Sequence, residues 1–150
     1  MRVALGVDHR GFLIKDELLE LLRSSGHDVI DVGTDSTASV DYPDIAVAVA
    51  SKVLAGDAER GIVVCGSGAG AVIAANKIKG VRCAQAHDTY TAHQCVEHDD
   101  ANMLALGSGI VGLEVIREVV RNFLGAVFDG GERYVRRLEK VEKLEADFGS

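Results

Sequence analysis

Positive charge is in short supply in this chain. Its 150 residues carry 16 Lys and Arg against 23 Asp and Glu, a formal net charge of −7. A phosphate backbone is bound by a basic surface, so nucleic acid is not an expected partner; a small phosphate held in a local basic pocket is not excluded. Long apolar runs are also lacking. None approaches the ~20 residues of a membrane-spanning helix, so no membrane partner is expected. The opening Met1-Arg2-Val3-Ala4-Leu5-Gly6-Val7 meets Asp8 too soon for a secretory leader, which points to a cytoplasmic protein. Cysteine is scarce: three residues, with no C-x-x-C pair, supply neither a disulfide framework nor a zinc knuckle. Pro43 is the single proline, and no repeat, low-complexity tract or linker interrupts the chain. Residues 1–150 therefore read as one domain, within the ~100–200 residues usual for one.

What is present alternates. Short β-rich runs at Val3 to Val7, Val29 to Val32, Gly61 to Cys65, Val81 to Ala86 and Met103 to Leu106 are separated by helix-length amphipathic segments. Phe12, Leu18, Leu19 and Leu22 suit one face of a helix that Gly26 closes, and Pro43 opens another that runs through Ile45 to Leu54. A third spans Ala69 to Ile78, closed by Gly80. Helices between strands imply parallel crossovers. The expected fold is α/β: a Rossmann-like open parallel five-stranded sheet with helices on both faces. After Gly130-Gly131 an extra charged helix follows, from about Arg133 to Asp147, within a C-terminal arm of about 130–148. Its stripe of Leu138, Val141 and Leu144 has no strand after it to cover. It either docks in cis or packs on another subunit.

The most informative stretch is Ile62-Val63-Val64-Cys65-Gly66-Ser67-Gly68-Ala69-Gly70-Ala71, an apolar strand entering a glycine-dense turn that opens a helix. Glycines admit a ligand close to the backbone, and a helix start offers free N–H groups to an anion. Such loops lie at the carboxyl ends of strands, where open α/β sheets bind ligands. The stretch also satisfies the dinucleotide fingerprint G-x-G-x-x-A, with Asp88 downstream, but it follows the third strand rather than the first. A Walker motif is absent. Cys65 stands at a strand end before a helix amino terminus, where a thiolate is favoured, whereas Cys83 and Cys95 read as core residues. Asp8-His9 follows the first strand and His98-Asp99-Asp100 precedes the fifth, both read as loops on the functional edge. His87, Asp88, His93 and His98 match no strong metal-ligand spacing. Arg133, Arg136 and Arg137 form the densest basic cluster and are either a solvated helix face or a phosphate clamp.

Several motifs in one order carry a resemblance over nearly the whole chain. They are Asp8-His9 with Gly11-Phe12, Asp41-Tyr42-Pro43, Cys65 to Gly70, Ala74-Ala75-Asn76-Lys77, Gly80-Val81-Arg82, His98 to Asn102, and Gly130-Gly131 with its arginines. With them the sequence resembles the type B ribose-5-phosphate isomerase family, which includes galactose-6-phosphate isomerase subunits. The resemblance implies an aldose–ketose isomerase of a sugar phosphate, ribose 5-phosphate foremost, with no metal or organic cofactor. It implies Cys65 as the base that moves a proton between C1 and C2 through an enediolate. Ser67 and the amides of Gly66, Gly68, Ala69 and Gly70 would hold the oxyanion, and His98 would open the sugar ring. Asp8 would bind hydroxyls, Tyr42 would line the pocket, and His9, Arg133 and Arg137 would hold the phosphate. It further implies a homodimer or homotetramer with an active site shared between subunits.

The chain departs from the family in three places. Asp99, which the resemblance implies as a substrate-binding residue at the enediolate oxygen, stands where many members have asparagine, and Gly109 stands where many have a phosphate-binding arginine. The arginines after Gly131 are displaced by one inserted residue. A different tetrose or hexose phosphate is one alternative; a non-catalytic or dinucleotide-binding module is the other.

Overall fold

A computed structural model describes residues 1–149. Strands β1 (Arg2–Val7), β2 (Asp28–Asp31), β3 (Arg60–Cys65), β4 (Cys83–Gln85) and β5 (Met103–Gly107) pair in the order β2-β1-β3-β5-β4. Every pairing is parallel. Helices α1 (Lys15–Ser24), α2 (Tyr42–Leu54), α3 (Ala69–Ala75), α4 (Thr89–Asp99), α5 (Leu113–Gly125) and α6 (Glu132–Phe148) complete the fold.

Side-chain alternation along each strand feeds two cores. Ile62 and Val64 of β3 join Leu18, Leu22, Val96, Ile116 and Phe123 on the face covered by α1, α4 and α5. Val63 and Cys65 point the other way, into a core with Ile45, Val49, Ala71 and Ala75 from α2 and α3. Both faces are covered, which is why the central strands are apolar throughout. A side chain such as Phe123 or Leu104, fully buried, contributes roughly 1.5–3 kcal/mol. On that scale α6 is weakly held: of its 17 residues Tyr134 alone is buried, whereas α5 buries five of 13. Val141 and Leu144 remain more than half exposed.

Some boundaries differ from the sequence pattern. The segment expected to start a helix at Phe12 is a 3-10 turn over Gly11–Ile14 before α1 begins at Lys15. Lys15 is itself buried, its Nζ bonded to Asp31 and Asp35 at 2.7 Å each and to the Thr34 carbonyl at 2.9 Å. Helix α3 stops at Ala75 rather than Ile78, because the Asn76 carboxamide turns to bracket the Cys83 backbone with two 2.8 Å bonds. Strand β4 is correspondingly short: the Arg82 amide donates to the Asn102 side chain instead of to a neighbouring strand.

Candidate active site

The chain leaves β1 toward β2 on one side, while β3 leads toward β5 and β4 on the other. The crevice of the sheet therefore opens between the carboxyl ends of β1 and β3. Two loops line it, Asp8-His9-Arg10 after Val7 and Gly66-Ser67-Gly68 after Cys65.

The first loop is shaped by Asp8. Its buried carboxylate accepts the Arg10 amide at 2.8 Å and the Gly11 amide at 2.9 Å through Oδ1. Gly11 also lies against the Val64 backbone, where a Cβ would come within 2.5 Å of its carbonyl oxygen. His9 accepts the Val40 amide at Nδ1, 3.3 Å away, which leaves Nε2 as the N–H donor of the neutral ring.

The second loop is built around Cys65. The sulfur is buried and accepts the Gly68 amide at 3.1 Å, so charge on it meets a donor already in place. Gly68 achieves this with φ +81°, a left-handed conformation that side chains disfavour. Ser67 Oγ accepts the Ala69 amide at 3.3 Å, and the Ser67 carbonyl accepts from Gln85 at 2.7 Å. Tyr42 roofs the turn: a Cβ at Gly70 would stand 2.6 Å from the Tyr42 ring. The ring gets there because α2 lies low on the sheet. Gly6 and Gly61 have no side chains, and Val49 would come within 2.5 Å of a Cβ at either.

Cys83 and Cys95 are chemically quieter. Burial, then the charge of Cys95, pushes the Cys83 thiol up to about 12. Burial, then the charge of Asp99, pushes Cys95 up to about 11.

The other expected site residues lie elsewhere. His98 and Asp99 are not on a loop at the carboxyl edge. They close α4, which returns the chain to the amino edge where β5 begins at Met103. A βαβ crossover must make that return, so a helix end just before a strand cannot reach the carboxyl edge of its own sheet. His98 stacks on Tyr134 of α6, with ring centroids 4.5 Å apart. Arg133 lies over the same Tyr134 ring at 4.5 Å and donates to its hydroxyl. Arg137 and Asp99 line a groove of about 840 Å³ between α6 and the β4 edge. One chain thus gathers Asp8, His9, Tyr42 and Cys65 to Gly70 at one edge, and His98, Asp99, Arg133 and Arg137 at the other. Asp88 accepts the Thr91 amide at 2.7 Å as the cap of α4, and His87 accepts the Gly107 amide at 2.9 Å. Among the described residues no three His, Cys, Asp or Glu side chains cluster for a metal. Sequence reasoning did not single out Arg10, whose side chain crosses Gly66; the signal available was its place after Asp8-His9.

A glycine loop that follows Cys65 at the switch point of an open parallel sheet is the place where α/β enzymes of this architecture bind their ligands. The chain belongs to the family described as Ribose/Galactose Isomerase, which matches residues 3–141. It is 42% identical to the ribose-5-phosphate isomerase B of Escherichia coli, with 96% of each chain covered. It is 41% identical to D-erythrulose-4-phosphate isomerase 2 of Mycolicibacterium smegmatis, covering 86% of this chain and 87% of that one. The solved structure of ribose-5-phosphate isomerase B from Clostridium thermocellum superposes with a TM-score of 0.95 at 43% identity, covering 99% of both chains.

Proposed function

We propose that this protein interconverts an aldose phosphate and its ketose, ribose 5-phosphate and ribulose 5-phosphate, without metal or organic cofactor. The observation that carries the reading is the Cys65 sulfur, held against the Gly68 amide at the carboxyl end of β3. Cys65 as thiolate takes the C2 proton of the open-chain aldose and the electron pair passes to the carbonyl oxygen O1. The O2 hydroxyl proton then moves to O1, and the carbon proton returns from Cys65 to C1, which leaves the carbonyl at C2. Ser67 and the glycine-loop amides meet the enediolate oxygen. Asp8 and Tyr42 position the sugar, and His98 moves the proton that opens the ring. His9, Arg133 and Arg137 take the phosphate. Residues 1–150 act as one cytoplasmic domain, with residues 130–148 as its arm.

The separation of Cys65 from His98 across the sheet supports a homodimer in which each site takes its thiol from one subunit and its imidazole from the other. The thin docking of α6, with Val141 and Leu144 exposed, supports the same assembly. A four-carbon substrate is the second reading, carried by the Mycolicibacterium relative.

Two measurements test this. Aldose phosphates of four to six carbons are assayed for ketose formation; no turnover of any would refute the activity. Inactive Cys65→Ala and His98→Ala subunits are then mixed and refolded together. A shared site regains about a quarter of wild-type activity, because half the dimers are mixed and each holds one intact site. No recovery would refute the sharing.

A further inference from the structure

The structure leaves one basic side chain at the crevice unassigned. Arg10 follows the Asp8-His9 pair on the β1 loop, with its backbone pinned from two sides. Its amide donates to Asp8 Oδ1 at 2.8 Å, and its carbonyl accepts from Ser108 Oγ at 3.0 Å. From this fixed origin the side chain runs across the glycine loop. An added Cβ on Gly66 would lie 3.6 to 3.8 Å from its Cγ, Cζ and Cβ atoms, and one on Gly109 would lie 3.5 Å from Nη2. Three loops therefore converge on this guanidinium, those after β1, β3 and β5. The last two present glycines to it, Gly66 and Gly109. Among the described residues the guanidinium has no acceptor. Lys15, the next cation along the chain, is occupied by Asp31 and Asp35. The Arg10 side chain is exposed, so the guanidinium is open to a ligand entering over the glycine loop.

We propose that Arg10 is a ligand for the phosphate of the substrate, a specificity residue that selects phosphorylated over free sugars. This rests on the isomerase reading above and deepens it. Gly109 is then part of the same device: its missing side chain leaves the space the guanidinium uses, so a basic residue can occupy the spot from β1 or from the loop after β5, but not from both. An arginine fork suits a phosphate because two N–H groups meet two oxygens at once.

The test compares wild type, Arg10→Ala, Arg10→Lys and the double variant Arg10→Ala/Gly109→Arg, with Arg121→Ala as a remote control. KM and kcat for ribose 5-phosphate, kcat/KM for unphosphorylated ribose, and the competitive inhibition constant of inorganic phosphate are measured. Arg10→Ala raises both KM and the phosphate constant roughly 10- to 100-fold. Its kcat/KM for free ribose stays put, Arg10→Lys recovers part of the loss, and the double variant recovers more. Unchanged KM and phosphate inhibition in Arg10→Ala would overturn the proposal, as would an equal loss on free ribose. Calorimetric titration with inorganic phosphate separates the two readings. If wild type isomerises no sugar phosphate yet binds phosphate through Arg10, the isomerase reading fails and the anion site stands.

Discussion

The imidazole of His98 and the ring of Tyr134 stack with centroids 4.5 Å apart and planes 23° from parallel. One ring ends α4, the other is the single buried side chain of α6. The contact therefore does two jobs: it fixes the histidine and it anchors the C-terminal helix. Tyr134→Phe keeps the stack but loses the Arg133 hydrogen bond, so it holds kcat and raises KM. Tyr134→Ala removes a stack of about 0.5–1.5 kcal/mol beyond its burial, lowering kcat and the melting temperature together. Steady-state kinetics and a thermal melt on both variants check this.

Replacing Cys65 by Ala reduces turnover by ~100- to 10,000-fold, the range for a lost general base, whereas Cys83→Ala leaves it largely intact. Ketose formation under saturating substrate distinguishes the two. Alkylation near pH 8 follows the same order, because Cys83 and Cys95 are pushed up to about 12 and about 11 and stay protonated there. Mass spectrometry of native protein treated with iodoacetamide finds Cys65 modified first, and inorganic phosphate slows it.

Gly70→Ala sets a methyl group 2.6 Å from the Tyr42 ring. Tyr42 is 42% exposed, so the ring swings outward rather than straining the core. Activity falls while the melting temperature barely moves. In a Tyr42→Ala background the same substitution costs far less, with a coupling of about 0.5–3 kcal/mol between the two positions. A double-mutant cycle on kcat/KM measures it.

Alkaline stability is set partly by Cys83. Its thiol is held neutral in the fold up to about 12, against an ordinary value of 9.0, by burial first and by Cys95 second. The unfolded chain ionises first, so this contribution is complete below pH 9 and is lost as pH rises toward 12. The slope is up to about 1.4 kcal/mol per pH unit. Urea unfolding at pH 8 and pH 10.5 shows a larger loss for wild type than for Cys83→Ala.

The local pattern of the chain determined its elements. Alternating β-rich runs and amphipathic segments are written in adjacent residues, and so is the glycine loop that places Cys65 at the end of β3. The strand order β2-β1-β3-β5-β4 is not, because it depends on which apolar faces bury each other across long separations. The same holds for three details of the site. His98 reads as a neighbour of the crevice until the crossover carries it to the opposite edge. Lys15 sits in a helical pattern as one more surface charge, yet Asp31 and Asp35 from the β2 side draw it inward. Arg10 and Gly109 are 99 positions apart and meet only because β1 and β5 both flank β3, bringing their following loops together over Gly66. Short-range periodicity fixes which face of a segment is apolar; only the closing of the sheet decides which distant polar side chains share a site.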